Sequence, residues 1–362
     1  MRILIFNWKD LKHPAAGGAE VFTHEVAKRW VEWGNQVMLF CASHPTLAPT
    51  EEVEGIRVIR RGGRLSVYRQ APRFYEREGV GSFDAVIDEV NTRPFMTPRF
   101  VRDVPVIALI HQVCREIWWY EFPFPLAMLG RFVLEPLWLK GYRNVPTITV
   151  SESSRESLAD YGLRDITVVP EGLSLPDGPL PDLPKESVPT LLFVGRLARN
   201  KRPAHAIKAF RLLKDSVPDA KLWIVGTGHR GDSLRRKAPE GVTFWGGVSL
   251  ERKIELMARA HLLVVPSVRE GWGLIVSEGA SVGTPSVAYR VAGLVDSISK
   301  SGMGVLVEPR PAALAEGLQR LLGEGKGEFP KSYFPENWNE TAEAMLQVIR
   351  RQRALQSSGG SQ

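Results

Sequence analysis

Cysteine is almost missing from this chain, and the two that occur in 362 residues, Cys41 and Cys114, make neither a disulfide framework nor a metal-ligand spacing. The seven histidines show no His-x-x-x-His repeat and there is no Asp-x-Asp, so neither a zinc hydrolase pattern nor an acidic cage for a divalent cation can be read from the sequence. No apolar run reaches the ~18 residues that a membrane span requires, and residues 1–6 lead directly into a strand-like run without the features of a secretory leader. A cytoplasmic protein is expected. No nucleic-acid recognition module is present, although the net charge of +7 and a pI near 9.4 predict attraction to anionic surfaces. With 44% hydrophobic and 24% charged residues the chain is globular rather than disordered.

What is present is alternation. Strand-like runs at 2–6, 36–41, 56–60, 84–88, 104–109 and 147–150, several of them separated by helix-compatible stretches, predict a parallel, doubly wound sheet. In the first of those stretches Val21, Phe22, Val26 and Trp30 recur on one helix face. A proline-rich segment at 175–189 has the composition of a linker, and a second alternating set follows with strands at 190–194, 221–225, 242–245 and 260–266. The expected division is therefore 1–174 for a first domain, 175–189 for the linker, 190–335 for a second domain, 336–356 for a C-terminal helix, and 357–362 for a small, polar, disordered tail.

The densest chemistry lies at 269–279, Arg-Glu-Gly-Trp-Gly-Leu-Ile-Val-Ser-Glu-Gly, where Glu270 and Glu278 stand eight positions apart around a glycine loop that opens a helix. Backbone N–H groups at Gly271, Trp272 and Gly273, with Leu274 beginning the helix, can face an anion or sugar hydroxyls, and the two carboxylates can accept from vicinal hydroxyls. The helix dipole alone also favours acids there. After the 190–194 strand, Arg196 and Lys201 flank a strand-to-helix turn where a diphosphate could rest, with Pro203 suited to the first helical turn. Gly17 and Gly18 sit at an equivalent turn in the first half; turn chemistry and close ligand approach both explain such a pair. His111 follows a strand's carboxyl end, where open α/β sheets bind ligands and where a structural histidine is also common. Residues 226–231, Gly-Thr-Gly-His-Arg-Gly, match the dinucleotide fingerprint, but the next strand-like run ends in Gly246-Gly247 instead of the acidic ribose ligand.

Taken together, Gly17-Gly18-Ala19-Glu20, Gly195-Arg196-Leu197 with Lys201, Val225-Gly226-x-Gly228, and Glu270-x(7)-Glu278 with Gly283-Thr284-Pro285 resemble the retaining glycosyltransferases of sequence family four, from the first strand to about Trp338. The resemblance implies the GT-B architecture: two Rossmann-like, doubly wound α/β domains facing across a cleft, with the C-terminal helix returning to the first. It implies a hexosyl transfer from a UDP- or GDP-sugar co-substrate to a hydroxyl of a glycan or lipid-linked acceptor, with retention and without a metal or other cofactor. In that resemblance Arg196 and Lys201 bind the diphosphate, Glu278 the ribose, and Glu270 with the amides of Gly271 to Gly273 the transferred sugar. His111 touches the sugar from the first domain, and Gly17 and Gly18 line the cleft. One departure stands out: where the family commonly has Asn before glycine, this chain has Glu171-Gly172, to which no binding role is assigned.

An NAD-dependent oxidoreductase, on the strength of residues 226–231, and a non-catalytic sugar-nucleotide sensor remain the competing classes. A peripheral position on the inner face of an anionic membrane is also expected, from seven arginines between Arg57 and Arg77 and five aromatics between Trp118 and Phe124, continued from Leu126 to Tyr142 by Leu, Met, Phe and Trp at roughly helical spacing. Solvated arginines and packed aromatics are the alternative for both stretches.

Overall fold

A computed structural model describes residues 1–176, 178–323, 329 and 336–359. The chain divides into two compact units, the first built from Met1–Arg115, Met128–Gly172 and the segment from Glu336 onward, the second from Glu116–Ala127 and Leu173–Pro335.

The first unit holds an eight-stranded sheet of β1 (Arg2–Phe6), β2 (Gln36–Cys41), β3 (Thr50–Val53), β4 (Ile56–Arg60), β5 (Ala85–Glu89), β6 (Val106–Leu109), β7 (Thr147–Thr149) and β8 (Ile166–Val168), in the order β3-β4-β2-β1-β5-β6-β7-β8. Only the β3–β4 pair is antiparallel. Ile3 to Phe6 and all of β5 are buried, as expected of strands covered on both faces, and this is why Ile3 to Phe6 and Ala85 to Ile87 read as apolar runs. Strand β3 has no counterpart in the sequence reading. Its residues, Thr-Glu-Glu-Val, are polar and alternate between exposed and half-buried because it is an edge strand. Glu54 and Gly55 both have positive φ in the turn to β4 (48° and 78°), the geometry of a type I′ hairpin, and a Cβ on Gly55 would lie 2.6 Å from Val31.

Helix Gly18–Glu32 buries Phe22, Val26 and Trp30, the stripe expected from the sequence. Helix Trp338–Gly359 packs on it: the Trp30 indole donates to the Ala342 carbonyl (2.9 Å), the Phe22 and Trp338 rings meet edge to face (5.7 Å), and Thr341 bonds the Pro170 carbonyl (2.9 Å). A Cβ on Gly172 would fall 2.5 Å from the Trp338 ring, so the returning helix dictates glycine there. This helix runs to Gly359, so residues 357–359, expected in a disordered tail, are helical; the Ser357 hydroxyl donates to the Arg353 carbonyl one turn back (3.0 Å). Residues 360–362 of that expected tail lie outside the described residues.

The second unit holds a six-stranded, all-parallel sheet of β9 (Thr190–Val194), β10 (Lys221–Val225), β11 (Val242–Gly246), β12 (Leu262–Val265), β13 (Ser286–Tyr289) and β14 (Gly304–Val307), in the order β11-β10-β9-β12-β13-β14. Strands β13 and β14 escaped the sequence reading because each is only four residues and opens on Ser or Gly. In both sheets the chain leaves a central strand in one direction and returns on its other side: β1 lies between β2 and β5, and β9 between β10 and β12. The carboxyl edge at such a reversal is where open α/β sheets bind ligands.

Residues 116–127, expected within the first domain, group instead with the second unit. The Tyr120 hydroxyl accepts from the Arg202 guanidinium, which also lies over the Tyr120 ring, and Glu116 pairs with Arg269 at 3.7 Å. No described helix is long and apolar enough to cross a membrane.

Candidate functional site

Two groups of side chains gather at carboxyl edges, one in each unit, and they are built differently. In the second unit the loops after β9 and β12 lie side by side because the strands are neighbours, and the Val268 amide bonds the Asn200 carbonyl (2.9 Å) to join them. Lys201 and Glu270, one from each loop, form an ion pair, so the cation expected at a diphosphate and the carboxylate expected at a sugar are in direct contact. Arg196 is exposed and has no ion pair among the described residues. Pro203 opens helix Pro203–Lys214 as expected.

The Glu270 loop is held from behind. Its amide donates to the Ala292 carbonyl (3.2 Å), and Gly293, at φ 79°, approaches so closely that a Cβ would lie 2.3 Å from the Glu270 carbonyl oxygen. Gly273, at φ 95°, caps helix Leu274–Ser281, with Leu274 as its first residue. Gly271 precedes Trp272, whose indole is buried and donates to the Ser277 hydroxyl (3.0 Å); the side chain fixes the loop onto the helix it opens. Glu278 lies in that helix and takes a lysine of its own, Lys253 from helix Leu250–Arg259, at 2.7 Å. Lys253 went unnoticed in the sequence because nothing distinguishes it from its charged neighbours Glu251 and Arg252 on an amphipathic helix.

The fingerprint-like glycines have an internal explanation. A Cβ on Gly226 (φ 126°) would lie 2.1 Å from the Gly195 carbonyl oxygen, and one on Gly228 (φ 157°) 2.7 Å from that of Leu197. The Leu197 amide bonds the Thr227 carbonyl (2.8 Å), so these glycines let the loops after β9 and β10 pack backbone to backbone. Gly17 and Gly18 are the reverse case. Neither has a positive φ, a Cβ on Gly18 would meet nothing within 4 Å, and one on Gly17 only Glu20 at 3.6 Å. Among the described residues nothing requires glycine at either position.

In the first unit Asn7, Glu89 and His111 follow or end β1, β5 and β6, three adjacent strands. Glu89 is buried and accepts from Asn7 (2.7 Å), Thr23 and Asn91; burial pushes its carboxyl up to about 8, against the charge of His111. The neighbouring Asp88 is also buried and raised by burial, while accepting from the Tyr142 and Thr97 hydroxyls and the Phe95 and Thr97 amides. Glu20 accepts from the Gly17 amide (2.6 Å) in the manner of a capping box and pairs with Lys9 at 3.2 Å.

His111 is 8% exposed, with Phe22 edge to face at 4.7 Å. Its Nδ1 meets Glu171 at 2.9 Å, while Nε2 is buried with no hydrogen-bond partner among the described residues. Burial works against the charged imidazole, but the bond to Glu171, its charge and those of Glu89 and Glu20 raise the pKa overall. Glu171, left without a role in the sequence reading, thus sets the orientation and charge of His111. The two residues are sixty positions apart, so no local pattern could have paired them. Among the described residues there is no group of three or more His, Cys, Asp or Glu arranged to hold a metal ion.

Such pairs of carboxylates and cations at two switch points suit the recognition of a phosphorylated polyol. Known proteins match the chain in the same sense. The family model for "Glycosyltransferase Family 4" matches residues 16–175 and that for "Glycosyl transferases group 1" residues 181–345. Glycogen synthase of Mycobacterium tuberculosis is 30% identical over 370 residues, covering 90% of this chain and 86% of that one. Sucrose-phosphate synthase from Thermosynechococcus elongatus superposes with a TM-score of 0.75 at 20% identity, covering 98% of this chain and 99% of its own. HepE of Anabaena, solved in complex with UDP and glucose, gives 0.64 at 16% identity over 99% and 100% of the two chains. The chain belongs to the family 4 glycosyltransferases, enzymes of the GT-B fold.

Proposed function

We propose that the protein transfers a hexosyl group from a UDP- or GDP-sugar to a hydroxyl of a glycan or lipid-linked acceptor, with retention of anomeric configuration and without a metal cofactor. The observation that carries the donor half is the arrangement in the second unit, where Glu270 and Glu278 each take a separate lysine at the carboxyl edge of one switch point. Arg196 and Lys201 take the diphosphate, Glu278 the ribose hydroxyls, and Glu270 with the amides of Gly271 to Gly273 the sugar. Departure of the diphosphate builds negative charge, which Arg196, Lys201 and the N-terminus of helix Leu274–Ser281 stabilise. In the ligand-free chain Glu270 holds Lys201; a bound diphosphate competes for that ammonium and frees Glu270 for sugar hydroxyls.

The bond from the acceptor oxygen to the anomeric carbon forms as the bond to phosphate breaks, and the acceptor's proton passes to the departing phosphate oxygen. No base from the protein is required, and retention follows from attack on the face that the phosphate leaves. In the first unit Gly17 and Gly18 leave room beside a helix terminus, and His111, oriented by Glu171, offers Nε2 to the sugar. The UDP and glucose in the Anabaena structure support a uridine donor among the two.

The experiment is a thermal-shift panel of UDP- and GDP-sugars against NAD, followed by NMR of the product's anomeric proton. A shift with one sugar nucleotide and a product of unchanged configuration is expected. A shift with NAD alone, or an inverted product, overturns the reading; binding without even slow donor hydrolysis identifies a sensor. Unchanged activity in EDTA is the expected sign of metal independence, and inhibition reversed by a divalent cation would refute it.

A further inference from the structure

The chain between Phe124 and Lys140 is helical throughout, in three consecutive pieces, Phe124–Leu129, Gly130–Leu134 and Glu135–Lys140. Its burial is inside out. Gly130, Glu135 and Leu139 face inward, while Met128 (42% exposed), Leu129 (45%), Phe132 (61%), Val133 (50%) and Leu137 (57%) face outward. Positions i, i+1, i+4, i+5 and i+9 form a single stripe on a helix, so the exposed side chains make one apolar face. Phe124 and Leu126, one turn earlier, are exposed as well.

The rotation that produces this face is fixed from within. The Glu135 carboxylate accepts from the amides of Cys114 (2.5 Å) and Arg115 (3.0 Å) and from the Tyr161 hydroxyl (3.3 Å). Just beyond the helix, Tyr142 is fully buried with its hydroxyl on Asp88. Turning Phe132 inward would carry Glu135 out and leave those amides unsatisfied, so the rotation is held even though it exposes five large apolar groups, a contiguous face of the kind that marks an interaction site.

The charges around the stripe say what covers it. Glu135 is the only acid between residues 122 and 151, and it is turned inward. The bases of the same stretch, Arg131, Lys140 and Arg143, remain at or near the surface, Arg131 lying 5.8 Å from the centre of the Phe132 ring and bonding the Tyr161 hydroxyl at 3.0 Å. A second copy docked symmetrically on this face would bring like charges together. An anionic bilayer meets both features, the apolar side chains entering the acyl boundary and the bases the headgroups.

We propose that the outward face of residues 128–140 is a docking surface for an anionic lipid bilayer. This face lies within the apolar stretch from Ile117 to Tyr142 that the sequence suggests for lipid contact, of which Trp119 and Phe124 are exposed as well. Trp118 is buried, its ring stacked near Phe122 at 4.8 Å, Tyr120 is engaged by Arg202, and Arg60 of the arginine-rich stretch is fully buried between Asp10 and Glu51. The inference bears on where the acceptor is met and rests on the transferase reading only for that.

Co-sedimentation with phosphatidylcholine vesicles, with and without phosphatidylglycerol, tests it. The full chain should sediment with the anionic vesicles, progressively less as salt is raised, and not with the neutral ones. Phe132→Gln with Leu137→Gln should lower the partition at least about tenfold, and Lys140→Glu should lower it by about fivefold or more. Both variants should keep the melting temperature and the donor-induced thermal shift of the unaltered chain, which separates failure of this proposal from failure of the transferase reading. No binding to anionic vesicles at low salt, or binding that the double variant leaves intact, overturns it. So does sedimentation of the lipid-free protein as a dimer that the double variant converts to monomer, since the face would then be a self-interface.

Discussion

The two switch points use their carboxylates in opposite ways. In the second unit Glu270, half-buried, and Glu278, buried, each meet a lysine, so charge is met by charge. In the first unit Asp88 and Glu89 are buried among neutral donors, Asn7, Thr23, Thr97 and Tyr142, and burial raises both. A carboxylate that meets a lysine can exchange that lysine for a ligand. One buried among neutral partners holds a proton well above the usual carboxylate range and answers to pH. The comparison predicts that substitutions in the second unit change binding and rate, whereas those in the first change pH dependence.

The largest effect should follow loss of Lys201, because it serves both the diphosphate and Glu270. Lys201→Ala should lower kcat/KM by roughly 100-fold and Arg196→Ala by less, about tenfold, on the scale of one charge-assisted contact. In a double-mutant cycle Lys201→Ala and Glu270→Gln should fall short of additivity; fully additive losses would show that the ion pair has no part in turnover. Next in size, Glu278→Gln and Lys253→Met should each raise the donor KM by about tenfold with little change in kcat, whereas Glu270→Gln lowers kcat. Identical kinetic defects at Glu270 and Glu278 would undo their division of roles.

Smaller effects should appear in the first unit. Glu171→Gln removes the hydrogen-bonded charge that raises His111, so the pH at which the imidazolium is lost should move down. If the protonated ring serves transfer, the alkaline limb of kcat/KM moves with it, and donor KM measured well below that limb stays unchanged. An unmoved limb would leave Glu171 a purely structural partner.

The smallest effect is on stability. Because the Glu89 carboxyl lies at about 8 when folded, against a reference of 4.5, the folded chain holds a proton that the unfolded chain has lost within that window. Its contribution is thus complete below pH 4.5 and declines as pH rises toward 8. The raised His111 acts in the same direction from its own reference of 6.5 upward. Glu89→Gln keeps an acceptor without the titration, so its melting temperature should overtake that of the unaltered chain by a few degrees, ~5 °C, as pH approaches 8. A constant difference across the range would place the pH response elsewhere.

Much of this was legible in the residues themselves. Apolar runs in β1, β9 and β12 announced buried parallel strands, because a strand covered on both faces needs no polar side. The Glu270 to Glu278 segment announced a loop and helix at a strand's carboxyl end, because both carboxylates and the glycines that shape the loop lie within one short stretch. What the sequence could not decide depends on groups far apart along the chain. Lys253 reaches Glu278 across 25 positions and Glu171 reaches His111 across 60, through the order of strands and helices and not through any spacing. Whether a glycine serves a ligand or a neighbour was likewise a tertiary question. Gly226 and Gly228 match a fingerprint yet are dictated by the backbone of Gly195 and Leu197, while Gly18, which looks like a turn residue, faces open space and Gly17 meets only Glu20. The rotation of residues 128–140 was decided last of all, by the amides of Cys114 and Arg115, which draw Glu135 inward and leave Phe132 and Leu137 outside.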